Sequence, residues 1–199
     1  QGRRGFTLTL LDDGRLLAAG GVDPGGAPQT SVEAWDPRSE TWSAAGEMKV
    51  PRAYHTATVL EDGKVLFAGG LTSAAGQATA SLEPYDVDAG TSQRMGSVAL
   101  TRPRWAHTAT RISGGRVLLI GGFGASAQGA PTNEVEQLQF VGQTALLEPL
   151  SSTREPRGGH TATLLGSGHV LVAGGITITG SRAVASNTAK DSVFTVEER

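Results

Sequence analysis

The chain of 199 residues contains no cysteine, and only 5% of its residues are aromatic and 18% charged. The absence of cysteine excludes disulfide bonds, thiolate catalysis and cysteine-based zinc sites. The apolar runs, such as residues 117–122, are far shorter than the ~18 residues that indicate a membrane-spanning helix. A formal net charge of −2 leaves no excess of cations for a phosphate backbone. We therefore predict neither a membrane span nor a nucleic-acid partner.

Glycine, by contrast, is abundant, with 28 positions. This content indicates many tight turns between short elements and favours an all-β fold. Four glycine pairs recur at steps of 49, 52 and 53 residues: Gly20-Gly21, Gly69-Gly70, Gly121-Gly122 and Gly174-Gly175. A period near 50 residues indicates a repeat architecture with four repeats.

Each repeat contains two short β-rich runs that are joined by a turn such as Asp13-Gly14. Such dipeptides suit the tight primed turns of β-hairpins. We predict strands A and B at about 5–11 and 15–20, 54–60 and 64–69, 106–112 and 116–121, and 159–165 and 169–174. Strand C follows at 31–36, 81–86, 134–139 and 192–197, and a fourth segment is clearest at 40–46. Four antiparallel strands in each repeat predict the blades of a β-propeller.

The glycine pairs, the segments 33–36 and 83–86, and Trp42 resemble the kelch repeat family in its bacterial form. The position of Trp42 is taken by Ser92 in the second repeat and by Ala145 in the third. The resemblance covers almost the whole chain and implies kelch-type blades that form part of a larger propeller. We expect one array with blades at about 1–50, 51–102, 103–155 and 156–199, the last without its fourth strand.

An open array of four blades would leave strand edges and apolar flanks beside solvent. We therefore expect further blades to cover these flanks. They would come from the same polypeptide, which is the favoured source, or from a second copy that completes the ring.

Three histidines share one repeat position at the start of strand A: His55, His107 and His160. Phe6 takes this position in the first repeat, which favours packing and hydrogen bonding over a ring of metal ligands. We predict no metal site and no cofactor.

An arginine lies three residues before each of these positions: Arg3, Arg52, Arg104 and Arg157. One hypothesis pairs each guanidinium with a carboxylate in strand C, for which Glu33, Glu83 and Glu136 are candidates, because a buried arginine needs its donors satisfied. The other places a ring of positive charge near the channel mouth, where it would hold an anion such as a carboxylate. On this second hypothesis Arg52, Arg104 and Arg157 are ligand-binding residues.

Two aromatic residues, Tyr54 and Trp105, lie just before strand A of their repeats. They either stack on a sugar or peptide near the channel mouth, or fill gaps between blades. We include both among the candidate ligand-binding residues. The loops expected on the same face are residues 22–30, 71–80, 123–133 and 176–190.

No nucleophile elbow, HExxH motif, phosphate-binding loop or dinucleotide fingerprint is present. The galactose oxidase group shares the kelch-like propeller, but its copper site resembles a constellation with a Tyr–Cys crosslink, which a chain without cysteine cannot form. We predict a non-catalytic interaction module that presents its loops to a protein, peptide or glycan. The alternative is part of a carbohydrate-active enzyme, an epimerase, lyase or oxidase, with catalytic residues elsewhere in a longer protein. The repeats resemble those of bacterial surface or secreted proteins, which favours a secreted, periplasmic or cell-surface location.

Overall fold

The computed structural model describes residues 2–142, 144–179, 182–185 and 192–194. These residues form antiparallel β-sheets, and their helical content is a single 3-10 turn at Ser113–Gly115. None of their helices is long and apolar enough to cross a membrane. The fold is therefore all-β, as the glycine content and the alternating runs predict.

Three sheets have four strands in chain order, and a fourth sheet has three described strands. Sheet 1 contains β1 (Thr7–Leu10), β2 (Leu16–Ala19), β3 (Gln29–Asp36) and β4 (Thr41–Arg52). Sheet 2 contains β5 (Thr56–Val59), β6 (Val65–Ala68), β7 (Leu82–Asp86) and β8 (Thr91–Ser92). Sheet 3 contains β9 (Thr108–Arg111), β10 (Val117–Ile120), β11 (Val135–Val141) and β12 (Thr144–Leu150). Sheet 4 contains β13 (Thr161–Leu164), β14 (Val170–Ala173) and β17 (Ser192–Phe194). Between β14 and β17 the chain forms a separate two-stranded hairpin of β15 (Ile176–Thr179) and β16 (Arg182–Ala185).

The predicted strands A and B are confirmed in all four repeats, each one or two residues shorter than expected at its ends. Strand C is also found in each repeat, although residues 195–197 of the fourth lie outside the described residues. The predicted equivalence of Ala145 to Trp42 is wrong. Trp42 pairs with Trp35, and the residue of β12 that faces the corresponding Leu138 is Leu147. The register differs because β11 continues to Val141 before the chain turns, whereas β3 ends at Asp36, one residue after Trp35.

The hairpin turns between strands A and B are also longer than predicted. Leu11 N–H donates to the carbonyl of Arg15 at 2.9 Å, and Gly14 N–H donates to that of Leu11 at 3.0 Å, which closes a three-residue loop. Gly14 has a positive φ of 89°, whereas Asp13 does not have a positive φ. This is the combination of a type I turn and a left-handed residue that is common in three-residue hairpins. In this turn glycine is therefore needed at one position of a three-residue loop and not in a primed two-residue turn.

The chain forms two compact units, Gln1–Trp105 with Ala125–Ala127, and Ala106–Gly124 with Gln128–Arg199. We call them the N-terminal and the C-terminal unit. Within each, two sheets pack face to face. We call the sheet face that packs on the following sheet its trailing face and the opposite one its leading face.

In the N-terminal unit, the trailing face of sheet 1 packs on the leading face of sheet 2. This core contains Leu11, Leu17, Ala19, Val32, Ala34 and Met48 from sheet 1 and its turn, and Ala57, Val59, Val65, Phe67 and Tyr85 from sheet 2. In the C-terminal unit, Ile112, Leu118, Ile120 and Val135 of sheet 3 pack in the same way on Ala162, Val170 and Val172 of sheet 4. Successive side chains of a strand point to opposite faces of the sheet. The same run of apolar residues in each repeat therefore supplies both the trailing and the leading face.

The repeated histidine lies at both of these interfaces. His55 Nε2 is 3.2 Å from Thr7 Oγ1 of sheet 1, and His160 Nε2 is 3.0 Å from Thr108 Oγ1 of sheet 3. Burial, with a smaller effect of the Arg52 charge, lowers the pKa of His55 to about 3. Burial and the charge of Arg157 lower the pKa of His160 to about 4. These histidines are therefore neutral hydrogen-bonding groups between sheets at neutral pH.

The lowered pKa values of His55 and His160 predict a specific pH dependence of stability. In the unfolded chain a histidine has a pKa near 6.5, so below that pH the unfolded chain takes up protons that the folded histidines do not. The stability that the two neutral histidines contribute is complete above about pH 6.5. It is lost as the pH falls towards the pKa values of the folded state, about 4 for His160 and about 3 for His55. We expect the double variant His55→Phe/His160→Phe, which copies the Phe6 of the first repeat, to lose less stability than the wild type between pH 6.5 and 4.5. The expected difference is at most about 1.4 kcal/mol per pH unit for each histidine.

Chemical denaturation at a series of pH values measures this difference. His169→Gln, which alters a histidine in the turn before β14, is the matched control and should keep the wild-type slope. Equal slopes for the wild type and the double variant would contradict the prediction.

Candidate functional site

Each of the first three glycine pairs closes strand B by bringing its backbone against the arginine of the following repeat. The second glycine donates its N–H to the arginine carbonyl, from Gly21 to Arg52 at 2.7 Å, from Gly70 to Arg104 at 2.9 Å and from Gly122 to Arg157 at 2.8 Å. A Cβ atom on Gly20 would lie 2.4 Å from the Arg52 carbonyl oxygen, and the pair has φ values of 63° and 90°. Only glycine combines this conformation with so close an approach.

The arginine side chain then returns to the glycine pair of its own repeat. Arg52 Nη1 donates to the carbonyls of Gly69 at 2.7 Å and Ser81 at 3.1 Å, and Nη2 donates to Glu83 Oε2 at 3.0 Å. Arg3 makes the equivalent contacts with Gly20, Ser31 and Glu33, and Arg157 Nη1 donates to the Gly174 carbonyl at 3.1 Å. The hypothesis of carboxylate pairing is thus observed for Arg3 and Arg52.

Arg52, Arg104 and Arg157 have no exposed surface. Burial lowers the pKa of Arg52, and the charge and hydrogen bond of Glu83 oppose that effect. Through these contacts the Arg52 and Arg157 side chains anchor the backbone just before strand A. Ligand contact by Arg52, Arg104 or Arg157 stays a prediction, and the role that the geometry displays is that of an anchor.

The two candidate aromatic residues lie together in the N-terminal unit. The Tyr54 and Trp105 rings are 5.7 Å apart at an interplanar angle of 64°, an edge-to-face arrangement. Tyr54 is 38% exposed. Among the residues that the structure describes, none forms a hydrogen bond with the Tyr54 hydroxyl. The pair therefore presents ring surface and a free hydroxyl to solvent.

Tyr54 is held in an unusual backbone conformation. Four residues at one repeat position have positive φ: Gly5 (63°), Tyr54 (54°), Ala106 (50°) and Gly159 (64°). The Tyr54 N–H donates to the Gly5 carbonyl at 2.7 Å, and the Gly159 N–H donates to that of Ala106 at 2.8 Å. A left-handed conformation costs a non-glycine residue about 1–2 kcal/mol. Tyr54 and Ala106 are therefore strained where two other repeats have glycine.

Two loops meet beside the aromatic pair. Gln77 and Ser126 form a β-bridge, and Ala78 N–H donates to the Ala125 carbonyl at 2.8 Å. Trp105 Nε1 donates to the Ser126 carbonyl at 2.9 Å, so the indole fixes one of these loops. This meeting joins residues far apart in the sequence, and no sequence pattern predicts it.

The N-terminal unit also has a cleft of about 290 Å³, which lies between hairpin turns and is lined by charged residues. Its charged lining is Asp12, Asp13, Arg15, Asp62, Lys64, Asp86 and Asp88. Arg15 binds Asp13 at 2.6 Å and Asp88 at 3.0 Å, and Lys64 binds Asp62 at 2.6 Å. The part of the chain that the structure describes contains no group of three or more histidine, cysteine, aspartate or glutamate residues arranged to hold a metal ion. The members of this cleft are ordinary turn residues, so no sequence pattern distinguishes it.

The comparisons with known proteins agree with this architecture. Residues 3–49 match the family model of the Kelch motif. Among solved structures, one titled "Structure of YjhT" is similar with a TM-score of 0.77 and 19% sequence identity, over 90% of this chain and 60% of the other. This chain thus spans about 60% of the length of that structure. No curated protein matches it in sequence. The predicted kelch resemblance is confirmed, and the sheets are kelch-type propeller blades.

The buried ion pair predicts a large difference between two arginines. We expect Arg52→Ala to destabilise the fold by about 3–5 kcal/mol, because Glu83 stays buried without its guanidinium. Arg15→Ala removes two ion pairs at the surface, with Asp13 and Asp88, and should cost at most about 1 kcal/mol. Urea denaturation of both variants measures the difference. Similar losses for the two would show that Arg52 is not the anchor that its contacts indicate.

The strained alanine predicts a substitution that stabilises the protein. Ala106→Gly should raise the free energy of unfolding by about 0.5–1 kcal/mol, since relief of the left-handed strain exceeds the entropic cost of glycine. Ala109→Gly, two residues beyond His107 in the regular strand β9, should lower it by about 0.5–1 kcal/mol. Thermal melts of the two variants give the signs, and destabilisation by Ala106→Gly would refute the assignment of strain.

Proposed function

We propose that the chain is a non-catalytic binding module and that Tyr54 and Trp105 form its recognition surface for a glycan. The observation that carries the proposal is the strained, exposed Tyr54 beside Trp105. Strain of this kind is concentrated at functional sites, where surrounding contacts maintain it. Glycine would adopt this backbone conformation at lower cost, and Tyr54 instead supplies an aromatic ring at this position.

The chemistry of the pair supports a glycan as the ligand. Aromatic rings offer apolar surface to the C–H faces of a sugar, and the Tyr54 hydroxyl is available for one of its hydroxyl groups. The Trp105 N–H is already engaged by Ser126, so this residue offers its ring face and not its donor. The neighbouring loops carry small polar residues such as Gln77 and Ser126, which suit an uncharged polyhydroxylated ligand.

The buried arginines enter this proposal as positioning residues. Arg52 lies two residues before Tyr54, and Arg104 lies directly before Trp105. Their carbonyls accept the N–H groups of Gly21 and Gly70, so both aromatic segments leave the sheets from fixed points. A rigid scaffold of this kind lowers the entropic cost of ligand binding.

The state of the histidines supports a module without catalysis. With pKa values of about 3 and 4, His55 and His160 are poor proton-transfer groups near neutral pH. The enzyme alternative requires catalytic residues in another part of a longer protein. Incubation of a bound glycan with the chain, followed by analysis of the sugar, tests that alternative directly.

A glycan array screened with the chain, followed by titration calorimetry on the strongest hit, tests the proposal. Tyr54→Ala and Trp105→Ala should each weaken binding at least about tenfold, as expected for the loss of a stacking ring. The matched control is Trp42→Ala, which removes a tryptophan that is 52% exposed on β4. The control should bind like the wild type.

Two results would contradict the proposal. One is the absence of any glycan bound above background at high protein concentration. The other is an equal loss of affinity for Trp42→Ala and Tyr54→Ala. Melting temperatures of the variants separate a loss of binding from a loss of folding.

A further inference from the structure

The loop that contacts Trp105 has a narrow base and an exposed tip. Gly124 N–H donates to the Ala130 carbonyl at 3.0 Å, and a Cβ atom on Gly129 would lie 2.7 Å from the Gly124 carbonyl carbon. The two sides of the loop therefore meet at these residues. Residues 125–127, which we call the tip, are all exposed. No side chain of the tip is buried in a core, so contacts at the surface determine its position.

The loop that receives the tip, residues 71–78, is fixed to the segment that carries Tyr54. Leu71 exchanges two backbone hydrogen bonds with Ala53, at 2.8 and 2.9 Å. Leu71 also forms a β-bridge with Ala78 at the other end of the same loop. The backbone next to Tyr54 is therefore continuous, through hydrogen-bonded pairs, with the residue on which the tip docks.

The tip docks on this loop through a close approach of the two backbones. Ala78 N–H donates to the Ala125 carbonyl at 2.8 Å. Gly76 has a φ of 80°, and a Cβ atom there would lie 2.5 Å from the Ala127 Cβ. A side chain at Gly76 would therefore prevent the tip from lying where it does.

Trp105 closes this arrangement into a circuit of contacts within the N-terminal unit. Its Nε1 donates to the Ser126 carbonyl of the tip at 2.9 Å, and its ring meets the Tyr54 ring edge to face. The circuit runs from Tyr54 through residues 71–78 to the tip, and from the tip through the indole back to Tyr54. Its two links that depend on a side chain both belong to Trp105, which thus couples the tip to the aromatic pair.

We propose that the tip is a positioning element for Trp105, in which the Ser126 carbonyl holds the indole N–H and fixes the orientation in which the ring meets a sugar. Side chains at the surface otherwise change rotamer within picoseconds to nanoseconds. A ring that is held before binding loses less entropy when a ligand stacks on it. For its ligand this role rests on the glycan site proposed above, whereas the immobility of the indole can be measured without a glycan.

The fluorescence anisotropy decay of Trp105 is the first test, in a parent chain whose other two tryptophans are replaced by Trp35→Phe and Trp42→Phe. We expect the indole of this parent to move only with the whole molecule. Deletion of residues 125–127 removes the accepting carbonyl and leaves Gln128-Gly129 to close the narrow base as a two-residue turn. The deletion variant should show a fast local component of the decay, because its indole N–H has lost that carbonyl.

The matched control is Ser126→Ala, which removes the hydroxyl and keeps the carbonyl that accepts the indole N–H. It should retain the slow decay of the parent chain. Glycan titration gives the second readout. The deletion variant should bind about two- to tenfold more weakly than Ser126→Ala, which equally lacks the hydroxyl, because it must order one more side chain on binding. Melting curves check that both variants are folded.

Three results would overturn the proposal. A slow decay in the deletion variant would show that the tip does not hold the indole. A fast component in the parent chain would show that the hydrogen bond to Ser126 does not immobilise the ring. Equal glycan affinities of the deletion variant and Ser126→Ala would show that the held orientation does not contribute to binding. An indole that the deletion releases supports the role of the tip even in a chain that binds no glycan, and the lack of binding then contradicts the glycan site alone.

Discussion

The hydrogen bond from the second glycine of one repeat to the arginine carbonyl of the next is the contact on which the structure depends. It is 2.7–2.9 Å long in the three places where it is described, and it requires a backbone approach that a side chain would prevent. The Arg52 and Arg157 side chains bind the glycine carbonyls of their own repeats, so each of these two arginines connects two repeats. A buried guanidinium is costly unless its donors are satisfied, which is why the carbonyls and Glu83 are part of the same arrangement.

This connection also explains how a strained residue persists. Tyr54 follows Arg52 by two residues, and its own N–H is bound by Gly5 while the Arg52 carbonyl is bound by Gly21. The backbone on both sides of Tyr54 is therefore determined by contacts that involve other residues. The cost of its positive φ is small beside the cohesion of the two packed sheets, which bury leucine, valine and phenylalanine side chains worth about 1.5–3 kcal/mol each.

The parts of the fold that could be predicted from the sequence are those that local physics determines. Strands A and B are predicted by the alternation of apolar side chains and by the glycine in the turn between them. Both signals lie within a segment of about 15 residues. The repeat pattern does not predict the register of β12. The β15–β16 hairpin lies in a segment that we predict to be a loop, and the alternation from Ile176 to Thr179 is its local signal. The burial of Arg52 depends on Glu83, 31 residues away, so two roles stayed open for this arginine. The bridge of Gln77 to Ser126 spans a longer interval still and has no local signal.

The residues that vary between repeats lie next to those that do not. Between each arginine and the histidine or phenylalanine that follows are two positions, occupied by Arg4-Gly5, Ala53-Tyr54, Trp105-Ala106 and Gly158-Gly159. Backbone hydrogen bonds hold several of these residues, such as Ala53 with Leu71, Tyr54 with Gly5 and Gly158 with Ile176. The same scaffold therefore presents a cation or an indole at the first position and a phenol at the second, and alanine or glycine elsewhere. Recognition that is built on these positions can change without loss of the fold, and the pairing of Tyr54 with Trp105 is the combination that this chain presents in its N-terminal unit.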